Sequence, residues 1–206
     1  EKNIVSLMLY KPDTKDVIAK ADKAISKLSL SKLKKEVAII GLGRMGGNIA
    51  RRLAASGWRV VGYNRTAEDT KKLEIEGIIG AYNITEVVRK LSKPRVILSM
   101  LPSGKPTDEV LDSLIKVLDR NDIIIEGANS FYKDTIRRAK LVEKKGIKFV
   151  DVGISGGPKG ALNGACLMVG GETVLFEYLK PLFTTMAKPG AVAHFEGVGA
   201  GHFVKM

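Results

Sequence analysis

The 206-residue chain has one cysteine, Cys166, and two histidines, His194 and His202. A lone thiol forms no internal disulfide, so no covalent framework holds the fold, and this usage fits the reducing cytoplasm, where the protein is expected. Metal sites built from histidine, cysteine and carboxylate need those ligands at short, regular spacing, and the sequence holds no such set. No metal is expected. Aromatic residues make up only 6% of the chain. No basic run interleaves with them in the pattern that stacks nucleic-acid bases, so a nucleic-acid partner is not expected. No apolar run approaches the ~20 residues that cross a bilayer. The short apolar stretch at 4–10 lacks the basic flank and cleavage site of a secretory signal, so no membrane partner is expected.

What the chain does have is positive charge, +12 in all. Residues 1–36 hold nine lysines against five carboxylates and account for +4 of it. The remainder is spread thinly, as lysines on solvated helix faces would be. Such a field also favours an anionic substrate or a phosphorylated cofactor. Hydrophobic residues reach 45%, enough for one α/β domain with a buried core.

Residues 1–34 read as an appendage and 35–206 as the main domain. In the appendage, 4–10 suggests a strand, and Val17, Ile18, Ala21, Ala24, Ile25 and Leu28 recur at helical spacing. That apolar stripe is expected to pack on its own domain. From Glu36 onward, strand and helix alternate as in a parallel sheet. Strands are predicted at 37–40, 59–63, 96–101, 123–126, 148–152, 165–169 and 191–195. Helices are predicted at about 44–56, 66–77, 85–91, 107–118, 132–145 and 172–183. The fold class is a Rossmann-type, doubly wound, mostly parallel sheet with an N-terminal helical appendage.

The first strand–helix turn is Gly41-Leu42-Gly43-Arg44-Met45-Gly46. A GxGxxG alone is weak evidence, but at this place in a βαβ series it reads as a dinucleotide fingerprint. Gly41 serves the tight turn, Gly43 lets a pyrophosphate approach the backbone, and Gly46 lets helix and strand close up. The helix N-terminus adds free N–H groups and a partial positive charge. An NAD-binding unit then places Asp or Glu about 20 residues on, against the ribose hydroxyl. Here the second strand ends in Asn64-Arg65-Thr66. These three side chains donate to a 2′-phosphate that a carboxylate would repel, so NADP is the expected cofactor. The plainer alternative makes Arg65 an ordinary surface residue and Thr66 a helix cap.

Three loops follow predicted strands, where such sheets bind ligands: Leu101-Pro102-Ser103-Gly104, Gly127-Ala-Asn129-Ser130 and Gly153-Ile-Ser155-Gly156-Gly157. The chain ends on Gly199-Ala-Gly-His-Phe-Val-Lys205-Met206. With these motifs the sequence from Gly41 to Met206 resembles the 6-phosphogluconate dehydrogenases, within the wider β-hydroxyacid dehydrogenase group. The resemblance implies that Asn129 lies between nicotinamide and substrate. It also implies that Ser155, Gly156 and Gly157 contact a phosphorylated sugar acid, and that Leu101, Pro102 and Ser103 line the cofactor. Lys205 would be the general base on the 3-hydroxyl during hydride transfer and would then polarise the 3-keto group as carbon dioxide leaves. A lysine does this at neutral pH only where burial or neighbouring charge favours its neutral form.

Glu126 and Ala128 depart from the family's usual Asp and second Gly. The family's next segment, with its His-Asn and Gly-Ile-Glu-Tyr residues, its proton-donating glutamate and its all-α domain, does not follow Met206. The chain is therefore expected to be a fragment that binds cofactor without useful turnover, its full-length form a homodimer. The rival readings are another β-hydroxyacid dehydrogenase, of 3-hydroxyisobutyrate or tartronate-semialdehyde type, and a non-catalytic NADP-binding module. Of the remaining singletons, Cys166 is expected in the core and His194 in a structural role. His202, three residues before Lys205 on the same helix, is either structural or turned to the site.

Overall fold

Short aliphatic runs, most of them closed by a glycine-containing turn, build the sheet in the computed structural model, which describes residues 33–206. The strand and helix expected within residues 1–32 lie outside the described residues. The elements run β1 Glu36–Ile40, α1 Arg44–Ala55, β2 Arg59–Tyr63, α2 Ala67–Glu74, β3 Ile79–Ala81, α3 Ile84–Arg89, β4 Val96–Ser99 and α4 Lys105–Val117. They continue with β5 Ile123–Glu126, α5 Tyr132–Glu143, β6 Lys148–Ser155, α6 Gly157–Asn163, β7 Ala165–Gly171, α7 Thr173–Met186, β8 Ala187–Glu196 and α8 Ala200–Lys205. The strands form one eight-stranded sheet in the order β3-β2-β1-β4-β5-β6-β7-β8. Pairing is parallel from β3 across to β6. It turns antiparallel between β6 and β7 and is parallel again between β7 and β8. The expected doubly wound, mostly parallel architecture is thus present.

The strands bury both faces, which is why they read as continuous apolar runs rather than alternating ones. Val37, Ile39, Leu98 and Ile125 look toward α1 and α7, where Leu53, Leu179 and Phe183 meet them. Ala38, Ile40, Ile97 and Ile124 look the other way, toward Leu111 and Leu114 of α4 and Val142 of α5. Each valine, leucine, isoleucine or phenylalanine among them contributes roughly 1.5–3 kcal/mol when fully buried. Arg52 ties the first helix to the seventh, donating from Nε to the Thr185 carbonyl (2.6 Å) and from Nη2 to that of Ala187 (2.9 Å). It thereby satisfies carbonyls that the end of α7 leaves open.

Four details differ from the sequence expectations. β3 was not foreseen, because three residues are too few to show a period. α6 was not foreseen either, since Gly157, Pro158 and Gly160 favour a turn; it forms against α1, where Asn48 Nδ2 donates to the Pro158 carbonyl (2.8 Å). β6 runs on through Gly153 to Ser155, because β7 pairs antiparallel with it from Asp151 through that extension, Gly153 opposite Met168 and Ser155 opposite Cys166. Cys166 itself is exposed, not in the core: its neighbours Ala165 and Leu167 take the buried face of β7, and strand alternation turns Cys166 outward.

Candidate functional site

The strand order reverses between β1 and β4, and a crevice opens beyond their carboxyl ends. A cleft of about 440 Å³ there is lined by Gly41, Gly43, Arg44, Met45, Gly46, Asn64, Met100, Leu101, Pro102, Gly127, Ala128 and Asn129. A neighbouring cleft of about 230 Å³ adds Ile40, Tyr63, Arg65, Thr66, Pro106, Glu109 and Val110. The glycines fit the tasks read from their spacing. Gly41 has φ +93°, and a Cβ there would lie 2.5 Å from the Met100 carbonyl oxygen. A Cβ on Gly46 would overlap the Gly41 carbonyl, so α1 packs onto the turn only because it is absent. Beside Gly43 there is open space, with nothing within 4 Å of a Cβ. Leu42 turns its side chain inward over Gly62 and offers the turn only its backbone. Ser103 sits exposed in the turn before α4.

Asn64 is more committed than its sequence position suggests. Its Oδ1 accepts from the Leu42 N–H (3.1 Å), which fastens the glycine turn to the end of β2. Its Nδ2 donates to Asp69 Oδ2 (2.9 Å) and to the Thr66 carbonyl (3.4 Å). Thr66 stands at the N-cap of α2, but its side chain makes no capping hydrogen bond. The cap alternative for that hydroxyl therefore falls. Arg65 and Thr66 are both exposed on the cleft wall.

The residues expected on the substrate side gather at the end of β6. Asn129, in a left-handed conformation at φ +50°, accepts from the Ile154 N–H (3.0 Å) and donates to its carbonyl (3.3 Å). This side chain continues the β5–β6 ladder one step past the strand and holds the 127–130 loop beside Ser155. Gly153 faces α8, and a Cβ there would lie 2.5 Å from Lys205 Cβ. Lys205 is half-buried across that glycine, while Ser155, Gly156 and Gly157 are exposed next to it.

Beneath these groups runs a buried polar network. Asp151, fully buried, accepts at Oδ1 from the Gly199 N–H (2.6 Å) and at Oδ2 from the His202 N–H (2.7 Å), and so anchors the first turn of α8. Burial pushes its carboxyl above the usual range, and those N–H groups oppose the shift. His202 is also fully buried and does not face the site; Nδ1 pairs with Thr135 Oγ1 (2.8 Å), and burial lowers its pKa to about 4. Arg138, sealed in α5, donates to Glu126 Oε1, Ser130 Oγ and Asp108 Oδ1, each at 2.8 Å, and reaches the Gly104 carbonyl at 3.3 Å. One guanidinium thus braces both the 101–104 and the 127–130 loops. Burial raises the Glu126 carboxyl, and its bonds to Ser130 and Arg138 pull the other way. The motif reading passes over Asp151 and Arg138, although a carboxylate inside the apolar run 149–154 is a signal in itself. His194 stacks on Phe176 with ring centroids 4.5 Å apart and bonds the Gly171 carbonyl, a structural place. Among the described residues, no group of three or more His, Cys, Asp or Glu is placed to hold a metal ion. No helix among them is long and apolar enough to cross a membrane.

Residues 36–198 match the family model described as the NAD binding domain of 6-phosphogluconate dehydrogenase. The chain belongs to that family. Among curated members of the 6-phosphogluconate dehydrogenase family, the decarboxylating enzyme of Haemophilus influenzae is 38% identical over 185 residues, covering 84% of this chain. The NADP(+)-dependent decarboxylating enzyme of Bacillus subtilis is 38% identical over 181 residues. The chain spans only 38% and 39% of those two relatives. Among solved structures, Plasmodium falciparum 6-phosphogluconate dehydrogenase, determined apo, with NADP+ and with 6-phosphogluconate, superposes with a TM-score of 0.77 at 29% identity. The match covers 82% of this chain and 38% of that one. A Mycobacterium tuberculosis 3-hydroxyisobutyrate dehydrogenase gives a TM-score of 0.78 at 25% identity, covering 84% of this chain and 58% of the other.

Proposed function

We propose that residues 35–206 are the NADP-binding portion of an enzyme that oxidises and decarboxylates 6-phosphogluconate to ribulose 5-phosphate, a step of the pentose phosphate pathway, with residues 1–34 as an appendage. The observation that carries this reading is the convergence of Asn129, Ser155 and Lys205 at the end of β6, beside a cleft walled by the glycine turn. NADP, when bound, would supply the hydride acceptor. Asn64, Arg65 and Thr66 would take its 2′-phosphate, the Gly41–Gly46 turn its pyrophosphate, and Leu101, Pro102 and Ser103 its remaining length. Asn129 would separate nicotinamide from sugar acid, and Ser155, Gly156 and Gly157 would hold the substrate. Lys205 Nζ would take the proton of the 3-hydroxyl and return it to the keto oxygen. The single cysteine supports a cytoplasmic location, and the whole protein is read as a homodimer.

Calorimetry tests the cofactor half. A charge-assisted hydrogen bond contributes about 1.5–3 kcal/mol. Arg65→Ala is therefore expected to weaken NADP+ binding roughly 10- to 150-fold, toward the lower end for an exposed side chain, and to leave NAD+ binding nearly unchanged. Equal affinity of the unmutated chain for both cofactors would refute the NADP assignment. Absorbance of NADPH formed from 6-phosphogluconate by the whole gene product tests the reaction. The likeness to a 3-hydroxyisobutyrate dehydrogenase supports a second reading. Turnover of 3-hydroxyisobutyrate, with none of 6-phosphogluconate, would decide for it.

A further inference from the structure

Next to the glycine turn lies a second concavity, a notch of about 310 Å³ walled by Gly43, Arg44, Arg51, Asp69 and Lys72. The motifs read from the sequence reach it only through Leu42, Gly43 and Arg44 and assign nothing to Arg51, Asp69 or Lys72. Its charges are unequally engaged. Arg51 is held by both carboxylate oxygens of Glu76, at 2.6 and 2.7 Å. Lys72 stands 3.6 Å from Asp69, a loose pair with both side chains open to solvent. Arg44, at the first position of α1, is exposed and lines both this notch and the main cleft. Asp69 is bonded through Oδ2 to the amide of Asn64, which forms part of the cleft wall. Notch and cleft thus meet at Arg44 and across the Asn64–Asp69 bond.

We propose that Arg44 and Lys72 complete the 2′-phosphate subsite from the notch side, and that Asp69 is the counter-ion a phosphate displaces from Asn64 and Lys72. The inference rests on the NADP reading above. A phosphate monoester carries close to two negative charges at neutral pH. Arg65 alone answers one of them; Arg44 and Lys72, set against Asp69, bring the local charge near balance. In the free protein the Asn64 amide N–H is spent on Asp69, so a 2′-phosphate must outcompete a carboxylate for it. A phosphate that also draws Arg44 and Lys72 has the advantage, whereas a bare ribose hydroxyl does not. Cofactor choice therefore depends on these residues as well as on the Asn64-Arg65-Thr66 motif.

Titration calorimetry on the 206-residue chain, with NADP+ and NAD+ as probes, tests this on four variants whose melting temperatures verify folding. Arg44→Ala is expected to weaken NADP+ about 10-fold. Lys72→Ala, at an exposed site, should weaken it about 2- to 5-fold. Asp69→Asn should strengthen NADP+ by a similar factor at low salt; neither Lys72→Ala nor Asp69→Asn should move NAD+, and Arg44→Ala should weaken NAD+ clearly less than NADP+. If Arg65→Ala lowers the NADP+ preference but Arg44→Ala and Lys72→Ala do not, the inference is overturned and the NADP reading stands. If Arg44→Ala weakens both cofactors equally, Arg44 serves the pyrophosphate and the inference again fails. Loss of NAD+ affinity in Asp69→Asn would put that carboxylate on the ribose hydroxyl and overturn its role as a displaced counter-ion. No NADP+ preference in the unmutated chain would instead sink the reading on which the inference rests.

Discussion

At the scale of single residues, His202 sets a condition on pH. Its ring is fully buried beside Thr135, Asp151 and Arg138, and its pKa falls from 6.5 to about 4. Between those values the unfolded chain binds a proton that the folded chain refuses, so folding weakens as the solution is acidified through that window. The full effect is about 3 kcal/mol. Asp151 and Glu126 act in the opposite sense, because burial raises their pKa values and the folded state keeps their protons to higher pH. The histidine contribution is isolated by comparing urea unfolding at pH 7, 6 and 5 for the wild type and His202→Gln. The variant is expected to start less stable, through loss of the Thr135 bond, and to lose less stability on acidification. Parallel pH profiles would show that His202 does not titrate in this way. The sequence leaves this residue ambiguous because spacing from Lys205 alone does not say which face of α8 is buried.

Element by element, legibility follows from length and from who supplies the contacts. β1, β2 and β4 to β6, with the helices between them, declare themselves in sequence because each carries its own apolar pattern, and glycine stops mark some of the helices: Gly57 and Gly146 follow α1 and α5 with φ of +79° and +74°. The cleft beyond β1 and β4 was legible for the same reason, since local turn geometry dictates its glycines. α6, β3 and the extension of β6 were not, because each exists by virtue of a partner distant in sequence. α8 was expected as a helix, but its seat, like those elements, depends on partners distant in sequence. It lies flush on β6 and β7 through a glycine at every crossing: a Cβ on Gly201 would overlap the Met168 carbonyl oxygen and lie 2.6 Å from the Gly170 nitrogen, and Gly153 makes room for Lys205. Backbone atoms cannot step aside as a flexible side chain can. Gly201→Ala is therefore expected to lift the helix, costing about 1–3 kcal/mol as an overpacked contact. Amide exchange at Phe203 and Met206 should accelerate at least tenfold, while the glycine turn keeps its protection and NADP+ affinity holds. Unchanged exchange in α8 would show that the helix tolerates the methyl.

For the molecule as a whole, the cleft is built from four separated segments, so a ligand that bridges them stabilises the fold as a unit. At a hundredfold excess over its dissociation constant, a ligand bound only by the folded state adds about 2.7 kcal/mol. For a domain of this size NADP+ should then raise the melting temperature by roughly 5–10 °C. The chain's charge of +12 implies that this gain shrinks as salt is added, more for NADP+ than for NAD+. Scanning calorimetry at two ionic strengths measures both effects, and a shift of equal size for the two cofactors would contradict them. The reversal of chain direction at β7 bears on synthesis as well. Every residue lining the cleft beyond β1 and β4 lies before Ser130, whereas Lys205 finds its seat on Gly153 only once β6 and β7 have paired and α8 has folded back over them. A ribosome making this protein therefore delivers every residue that lines this cleft before the lysine that would take the substrate's proton, with Arg138 and Ile154, which hold two of its loops, following in between.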